Sequence, residues 1–259
     1  MIEHVIEGHT CIITIANPPA NTWTPESLRA MKGLTAELNA NKNVYAAVIT
    51  GQGEKFFSAG ADLKRFQGGD EKGRVAAREF ISLFGEAFEA FMNARFVTIA
   101  AINGYAMGGG LECALSCDLR IAEAHAQMAL PEPAVGLLPA GCGTQNLPWL
   151  VGEGWAKRII LTNERVTAET ALRIGLVEEV VEKGKSLEAA KAMAERVAGL
   201  SPKSVEFCKG LIHNARNGVP RGAGLALERE RFMDLFDFED QKEGVAAFLE
   251  KRKPEWKNS

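Results

Sequence analysis

A chain of 259 residues, 46% hydrophobic and 24% charged, has the make-up of an ordinary folded protein and is long enough to bury a sizeable core. Its formal net charge of −3 argues against nucleic acid as a partner, and no run reaches the ~18 uncharged apolar residues a membrane span needs. The early acidic residues of "MIEHVIEGHTCIITIANPP" do not fit a signal peptide, and five cysteines without a CxxC pair suit reduced thiols, so a cytoplasmic protein is expected.

"HVIEGHTCIITIANPP" reads as two short strands around a turn at Gly8, stopped by Pro18 and Pro19. In "TPESLRAMKGLTAELNAN", Thr24 is the N-cap and Pro25 the first residue of a helix on which Leu28, Met31, Leu34 and Leu38 share a face. "VYAAVITG" suits a strand buried on both sides. In "FFSAGADLKRF", Gly60 allows a tight backbone path and Asp62 is placed to cap a helix. The long helix "EKGRVAAREFISLFGEAFEAFMNAR" then aligns Phe80, Phe84, Phe88 and Phe91, a stripe that reads as core or as one wall of an apolar pocket. "FVTIAAINGYAMGGG" is another buried strand ending in a tight turn, and "DLRIAEAHAQMALPEPAVGLLPAGCG" reads as short strands and loops. After about Thr167 the patterns turn helical, in "TAETALRIG", "SLEAAKAMAERVAGL", "SPKSVEFCKGLIHNARN", "RGAGLALERERFMDLF" and "QKEGVAAFLEKRK", with "LVEEVV" as a strand among them. The strand–strand–helix rhythm followed by helices predicts an α/β fold with a helical C-terminal part.

Cys113 and Cys117 lie four apart and read as buried small hydrophobes, the four histidines form no cluster, and the basic "EKRKPEWK" reads as a solvated helix end. Nothing in these patterns calls for a metal or a redox cofactor. The chemistry concentrates in "GYAMGGGLECALSCDLRIAE", where Gly108, Gly109 and Gly110 stand at the mouth of a helix. Glycine lets a ligand oxygen approach a main-chain N–H, and a helix N-terminus offers unpaired donors, so a developing negative oxygen could be held there. Close packing of a strand on the helix explains the triplet equally well. Glu112, in the first turn, would answer the helix dipole if exposed; its neighbours Leu111, Cys113, Ala114 and Leu115 suggest an enclosed carboxylate with a partner or a task. Glu132, between Pro131 and Pro133, is expected to project from a stiff, extended segment, either as a turn device or as a second enclosed carboxylate. Two such groups can divide general base and general acid work. Ala61 could present a second N–H to the same oxygen, and Lys64 reads as a solvated lysine or a phosphate contact.

These residues resemble the enoyl-CoA hydratase/isomerase, or crotonase, superfamily, through "FFSAGADLK", "AAINGYAMGGGLECALSCDLRIA", "AQMALPEPAVGLLPAGCGTQNL" and the ending "KEGVAAFLEKRKPEW". The resemblance spans nearly the whole chain. It implies a crotonase-like spiral of repeated ββα units over residues 1–195, then a helical segment over 196–259 that mediates trimer formation, with trimers pairing into hexamers. It also implies an acyl-CoA thioester substrate, with coenzyme A as part of the substrate and no separate cofactor. Water would add syn across the double bond of a 2-enoyl-CoA to give a 3-hydroxyacyl-CoA, a β-oxidation step of fatty acid metabolism. On the matching motifs, Ala61 and Gly109 fall at the oxyanion-hole donors. Glu112 falls at the principal base and Glu132 at the principal proton donor. Ala59, Gly60, Asp62, Leu63, Lys64, Gly108 and Ala140 fall at substrate and CoA contacts, and Phe66, Phe84, Met107 and Leu138 are candidates for the acyl wall.

Three positions depart from the family pattern: Ala140 stands where glycine is usual, Asn146 replaces an arginine after "GTQ", and "NPPANTW" differs from "NRPxxxNAL". An isomerase or other crotonase-type acyl-CoA enzyme, or a non-catalytic CoA-binding homologue, are the alternatives. Nicotinamide binding is disfavoured because "GYAMGGG" is not GxGxxG, and serine hydrolysis because GxSxG is absent.

Overall fold

The structure, a computed structural model, describes residues 1–66 and 70–259. The turn at Gly8, with φ of 57°, joins β1 (Ile2–Glu7) and β2 (Thr10–Ile15) as an antiparallel pair. Thr24 caps α1 (Pro25–Ala40): its hydroxyl accepts the Ser27 N–H at 3.2 Å, and Ser27 Oγ accepts the Thr24 N–H at 2.9 Å. The buried face of α1 carries Leu28, Met31, Leu34 and Leu38, as their spacing predicts.

From here the chain repeats one manoeuvre. A long strand is followed by a short strand and then a helix. The first turn is β3 (Ala46–Gly51), β4 (Phe56–Ser58) and α2 (Glu71–Met92). The second is β5 (Val97–Ile102), β6 (Tyr105–Met107) and α3 (Gly109–Leu115). The third is β7 (Leu119–Glu123), β8 (Gln127–Ala129) and α4 (Gly143–Leu161). After them come β9 (Val166–Thr167), α5 (Ala168–Ile174) and β10 (Glu179–Val181). Long strands build one sheet in the order β1-β2-β3-β5-β7-β10, and short strands build the other, β4-β6-β8-β9. Pairings from β2 through β10 in the first sheet are parallel, so each turn advances both sheets by one strand. This is the ββα spiral that the resemblance implies.

The buried strands separate two apolar layers with the two-residue period of a pleated strand. Ala46, Val48, Val97, Ile99, Ala101 and Ile121 face α6 (Ser186–Ala198), which lays Ala190 and Ala194 on them. Ala47, Ile49, Ala100, Ile102 and Ala122 face the other way, into the larger core shared with α1 and α2. The division at residue 195 falls in the last turn of α6. Beyond it lie α7 (Pro202–Arg216), α8 (Arg221–Asp234) and α9 (Glu239–Glu250). The chain end folds back: the Asp240 carboxylate accepts the N–H groups of Lys257 and Asn258 at 2.7 and 2.9 Å, and Asn258 Nδ2 donates to Lys42 O at 2.7 Å. No helix among the described residues is long and apolar enough to cross a membrane.

Candidate active site

Ala61 lies just after β4, where the chain forms a single parallel bridge with Trp23. The Trp23 N–H donates to Gly60 O at 2.8 Å, and the Asp62 N–H donates to Trp23 O at 3.3 Å. In a trans peptide the C=O and N–H point opposite ways, so tying Gly60 O to Trp23 turns the Ala61 N–H to the other side. Gly109 opens α3, and its N–H is one of the donors a helix start leaves unpaired. The two segments touch: a Cβ on Gly60 would come 2.9 Å from Gly109 N, and Gly60 has φ of 89°, a backbone conformation that favours glycine. A Cβ on Gly110 would come 2.1 Å from Ser58 O, so glycine there lets α3 lie directly against β4. The packing reading of the triplet is therefore met, and the same close packing brings the Gly60–Ala61 segment against the start of α3.

Glu112, in the first turn of α3, is 3% exposed. Its Oε1 accepts the N–H groups of Gly141, Cys142 and Gly143 at 2.8, 2.9 and 2.8 Å, at the start of α4. Burial pushes its pKa up, against the pull of these three amides, which favour the charged form. Cys142 Sγ donates to Glu112 O at 3.2 Å, and Asn146 Nδ2 donates to Leu115 O at 3.0 Å, so the start of α4 braces α3 at its middle and its C-terminal end. Asn146 thus has a structural partner of its own at the position where arginine is usual.

Glu132 corrects an expectation. Its segment is not extended; Glu132–Val135 form one 3₁₀ turn closed by Gly136 in the left-handed region. Proline at the start of such a turn supplies a suitable φ, and the N–H it lacks would have had no helical partner there. Glu132 Oε2 is buried without a hydrogen-bond partner among the described residues. Burial raises its pKa to about 7, with a smaller push from the charge of Glu112, against a hydrogen bond from its own main chain that favours the charged form.

Both carboxyls and both amide segments line one cavity of about 750 Å³. Ala59, Ala61, Leu63, Gly108, Gly109, Glu112, Glu132 and Ala140 all contribute to its wall, as do Phe66, Phe84 and Leu138 of the expected acyl wall. Met107 is not among the described lining residues; its carbonyl lies 2.7 Å from the site of a Gly60 Cβ, against the segment that carries Ala61. Gly60, Asp62 and Lys64 do not line the cavity either. Gly60 is buried beneath it, Asp62 Oδ1 accepts the Lys64 N–H at 3.2 Å to open the 3₁₀ turn Leu63–Phe66, and Lys64 is exposed on that turn. The aromatic stripe divides its work: Phe84 faces the cavity while Phe88 and Phe91 are core.

The sequence reading missed Ala77, Arg78 and Ile81 of α2, the segment Ala134–Leu137, and Asn163 and Arg165 beyond α4. Ile81 was legible, one turn before Phe84 on the same face; Asn163 and Arg165 carried no signal. Among the described residues no group of His, Cys, Asp and Glu is arranged to hold a metal.

Comparison with known proteins bears on this cavity. The family described as enoyl-CoA hydratase/isomerase matches the chain over residues 6–259. The short-chain-enoyl-CoA hydratase of Clostridium acetobutylicum is 38% identical over 250 residues, covering 96% of this chain and 94% of its own. Pseudomonas aeruginosa DspI, a solved structure, is 60% identical and superposes with a TM-score of 0.95 over 99% of this chain and 96% of its own. The crystal structure of an enoyl-CoA hydratase from Bacillus anthracis is 35% identical, with a TM-score of 0.93 over 100% of this chain and 99% of its own.

Proposed function

Because the chain belongs to the enoyl-CoA hydratase/isomerase family, we propose that it hydrates a 2-enoyl-CoA thioester to the 3-hydroxyacyl-CoA. The observation that carries this reading is the meeting, on one cavity, of the Ala61 and Gly109 main-chain segments with the buried Glu112 and the half-buried Glu132. The thioester oxygen lies between the N–H groups of Ala61 and Gly109. Glu112 takes a proton from water as the oxygen attacks carbon 3, the double-bond electrons move onto the thioester oxygen, and Glu132 returns a proton to carbon 2. One positioned donor to such an oxygen contributes about 3–4 kcal/mol to the transition state. With its pKa raised to about 7, a large share of Glu132 is protonated at neutral pH and the proton is readily released, which suits an acid. Glu112, with raised basicity and three amides steadying its charge, suits the base. Addition is syn, with both carboxyls serving one face of the double bond.

The apolar wall of Phe66, Phe84, Leu137 and Leu138 takes the acyl chain. Lys64, exposed beside Leu63 on the cavity rim, contacts the phosphates of CoA. The C-terminal helices join protomers into a homotrimer or a dimer of trimers; support comes from Phe232, Met233 and Phe236 on and after α8 and Phe248 on α9, all exposed, the last by 83%.

Hydration of 2-enoyl-CoA thioesters of graded length by the wild type, Glu112→Gln and Glu132→Gln tests the reading. Turnover of at least one substrate, lowered ~100-fold or more by each substitution, is expected. Wild-type activity in both variants would remove the two glutamates from the mechanism, and movement of a 3-enoyl double bond without hydration would make the protein an isomerase.

A further inference from the structure

On the reading that the thioester oxygen lies between Ala61 and Gly109, we infer that Trp23, Phe88 and Phe84 are positioning residues: a frame of three rings that fixes the oxyanion amides relative to each other and to the anchor of Glu112. Three main-chain segments meet at the site, and one residue of this frame touches each, Trp23 by its main chain and the two phenylalanines by their rings. Trp23 holds the Ala61 segment by main chain, through Gly60 O and the Asp62 N–H. Phe84 backs Gly109; its Cε1 lies 2.7 Å from where a Gly109 Cβ would be. Phe88 backs Gly141; its Cδ2 lies 3.1 Å from the corresponding point there, and the Gly141 N–H is one of the three donors to Glu112 Oε1.

The rings are joined in series. Trp23 and Phe88 meet edge to face, with centroids 5.4 Å apart and planes at 75°, and Phe88 meets Phe84 in the same way at 5.4 Å and 82°. Edge-to-face pairs have a preferred geometry, and packed rings with few rotatable bonds resist displacement, so the series acts as a spacer and not as general filling. The indole Nε1 of Trp23 is buried without a hydrogen-bond partner among the described residues. An unpaired buried donor is unfavourable, so Trp23 acts here through its ring and its main chain. Phe84 alone of the three lines the cavity. Trp23 and Phe88 stand behind the catalytic groups and act through them.

The test combines steady-state hydration with the absorption of a bound, aryl-conjugated 2-enoyl-CoA, which moves to the red when two amides polarise its carbonyl. Trp23→Met and Phe88→Leu are expected to lower kcat by about tenfold to a hundredfold, the scale of a small misplacement of reacting groups, with KM nearly unchanged and the red shift reduced. Trp23→Phe keeps a ring and is expected to keep most of the shift, and Phe96→Leu, a core change outside the frame, all of it. Should Phe88→Leu fail to fold, the two Trp23 variants carry the same comparison. A wild type that hydrates and shifts the probe, with Trp23→Met and Phe88→Leu indistinguishable from it, overturns the frame and leaves the proposed function standing. A wild type that neither hydrates nor shifts the probe removes that function and the frame with it.

Discussion

Two carboxyls of one residue type reach the cavity under different constraints: Glu112 Oε1 takes three main-chain N–H bonds, whereas Glu132 Oε2 is buried with no hydrogen-bond partner among the described residues. The difference is open to titration. If Glu132 gives the proton, kcat/KM falls as pH rises through about 7, because the free enzyme then loses that proton. A pH–rate profile that stays flat from pH 6 to about 9 would contradict the assignment. The same shift has a consequence for stability. Between the ordinary carboxyl value of 4.5 and about 7, the unfolded chain has released the Glu132 proton while the folded chain keeps it. The unfolded state therefore binds fewer protons, and this group's contribution to stability declines as pH rises across that window. Glu132→Gln, neutral throughout, should melt at a higher temperature than the wild type above pH 7, with the gap closing towards pH 4.5. Scans at several pH values that show no such convergence would contradict the raised pKa. The sequence made both glutamates legible through their apolar neighbours. The three amides that hold Glu112 were not legible, since Gly141–Gly143 lie some 30 residues further along the chain and nothing local marks them as its partners.

At the scale of elements, the site depends on a helix of only seven residues, α3, pressed against β4 and braced by the start of α4. Gly110→Ala places a methyl 2.1 Å from Ser58 O, a main-chain atom that cannot swing aside. The expected result is destabilisation of about 1–3 kcal/mol in urea unfolding, with kcat lowered because Gly109 and Ala61 are forced apart. Wild-type stability would show that α3 can slide on the strand. Most helices were legible here from their apolar period, and α1 from its cap as well, since Thr24 accepts an N–H from the first turn; the Asp70 cap of α2 appears only in the structure. Two further features were not legible. The prolines around Glu132 suggested extended chain, where the same fixed φ instead starts a 3₁₀ turn. Helix α4 carries Pro148 and, at Gly152, a non-helical φ of 75°. Those breaks hide its period in the sequence, and with it the amides it aims at Glu112.

For the whole molecule, the alternation of long and short strands between two sheets decides where the loops gather. Residue pattern alone pointed to many of the strands and helices but not to α4, and short strands such as β6 and β8 have three residues each and carry no period that assigns them to a sheet. Motif resemblance supplied that assignment. The exposed apolar side chains of α8 and α9 set a further expectation: sedimentation at micromolar concentration gives a trimer or a hexamer, and a single monomeric species would leave Phe232 and Phe248 without a protein neighbour in solution.

The most direct measurement is a crystal structure with a bound acyl-CoA analogue that cannot be hydrated. The thioester oxygen is predicted to lie within hydrogen-bond distance of the Ala61 and Gly109 N–H groups, with the carboxyls of Glu112 and Glu132 on the same face of carbons 2 and 3. An oxygen held elsewhere, or carboxyls on opposite faces of the acyl chain, would contradict the account.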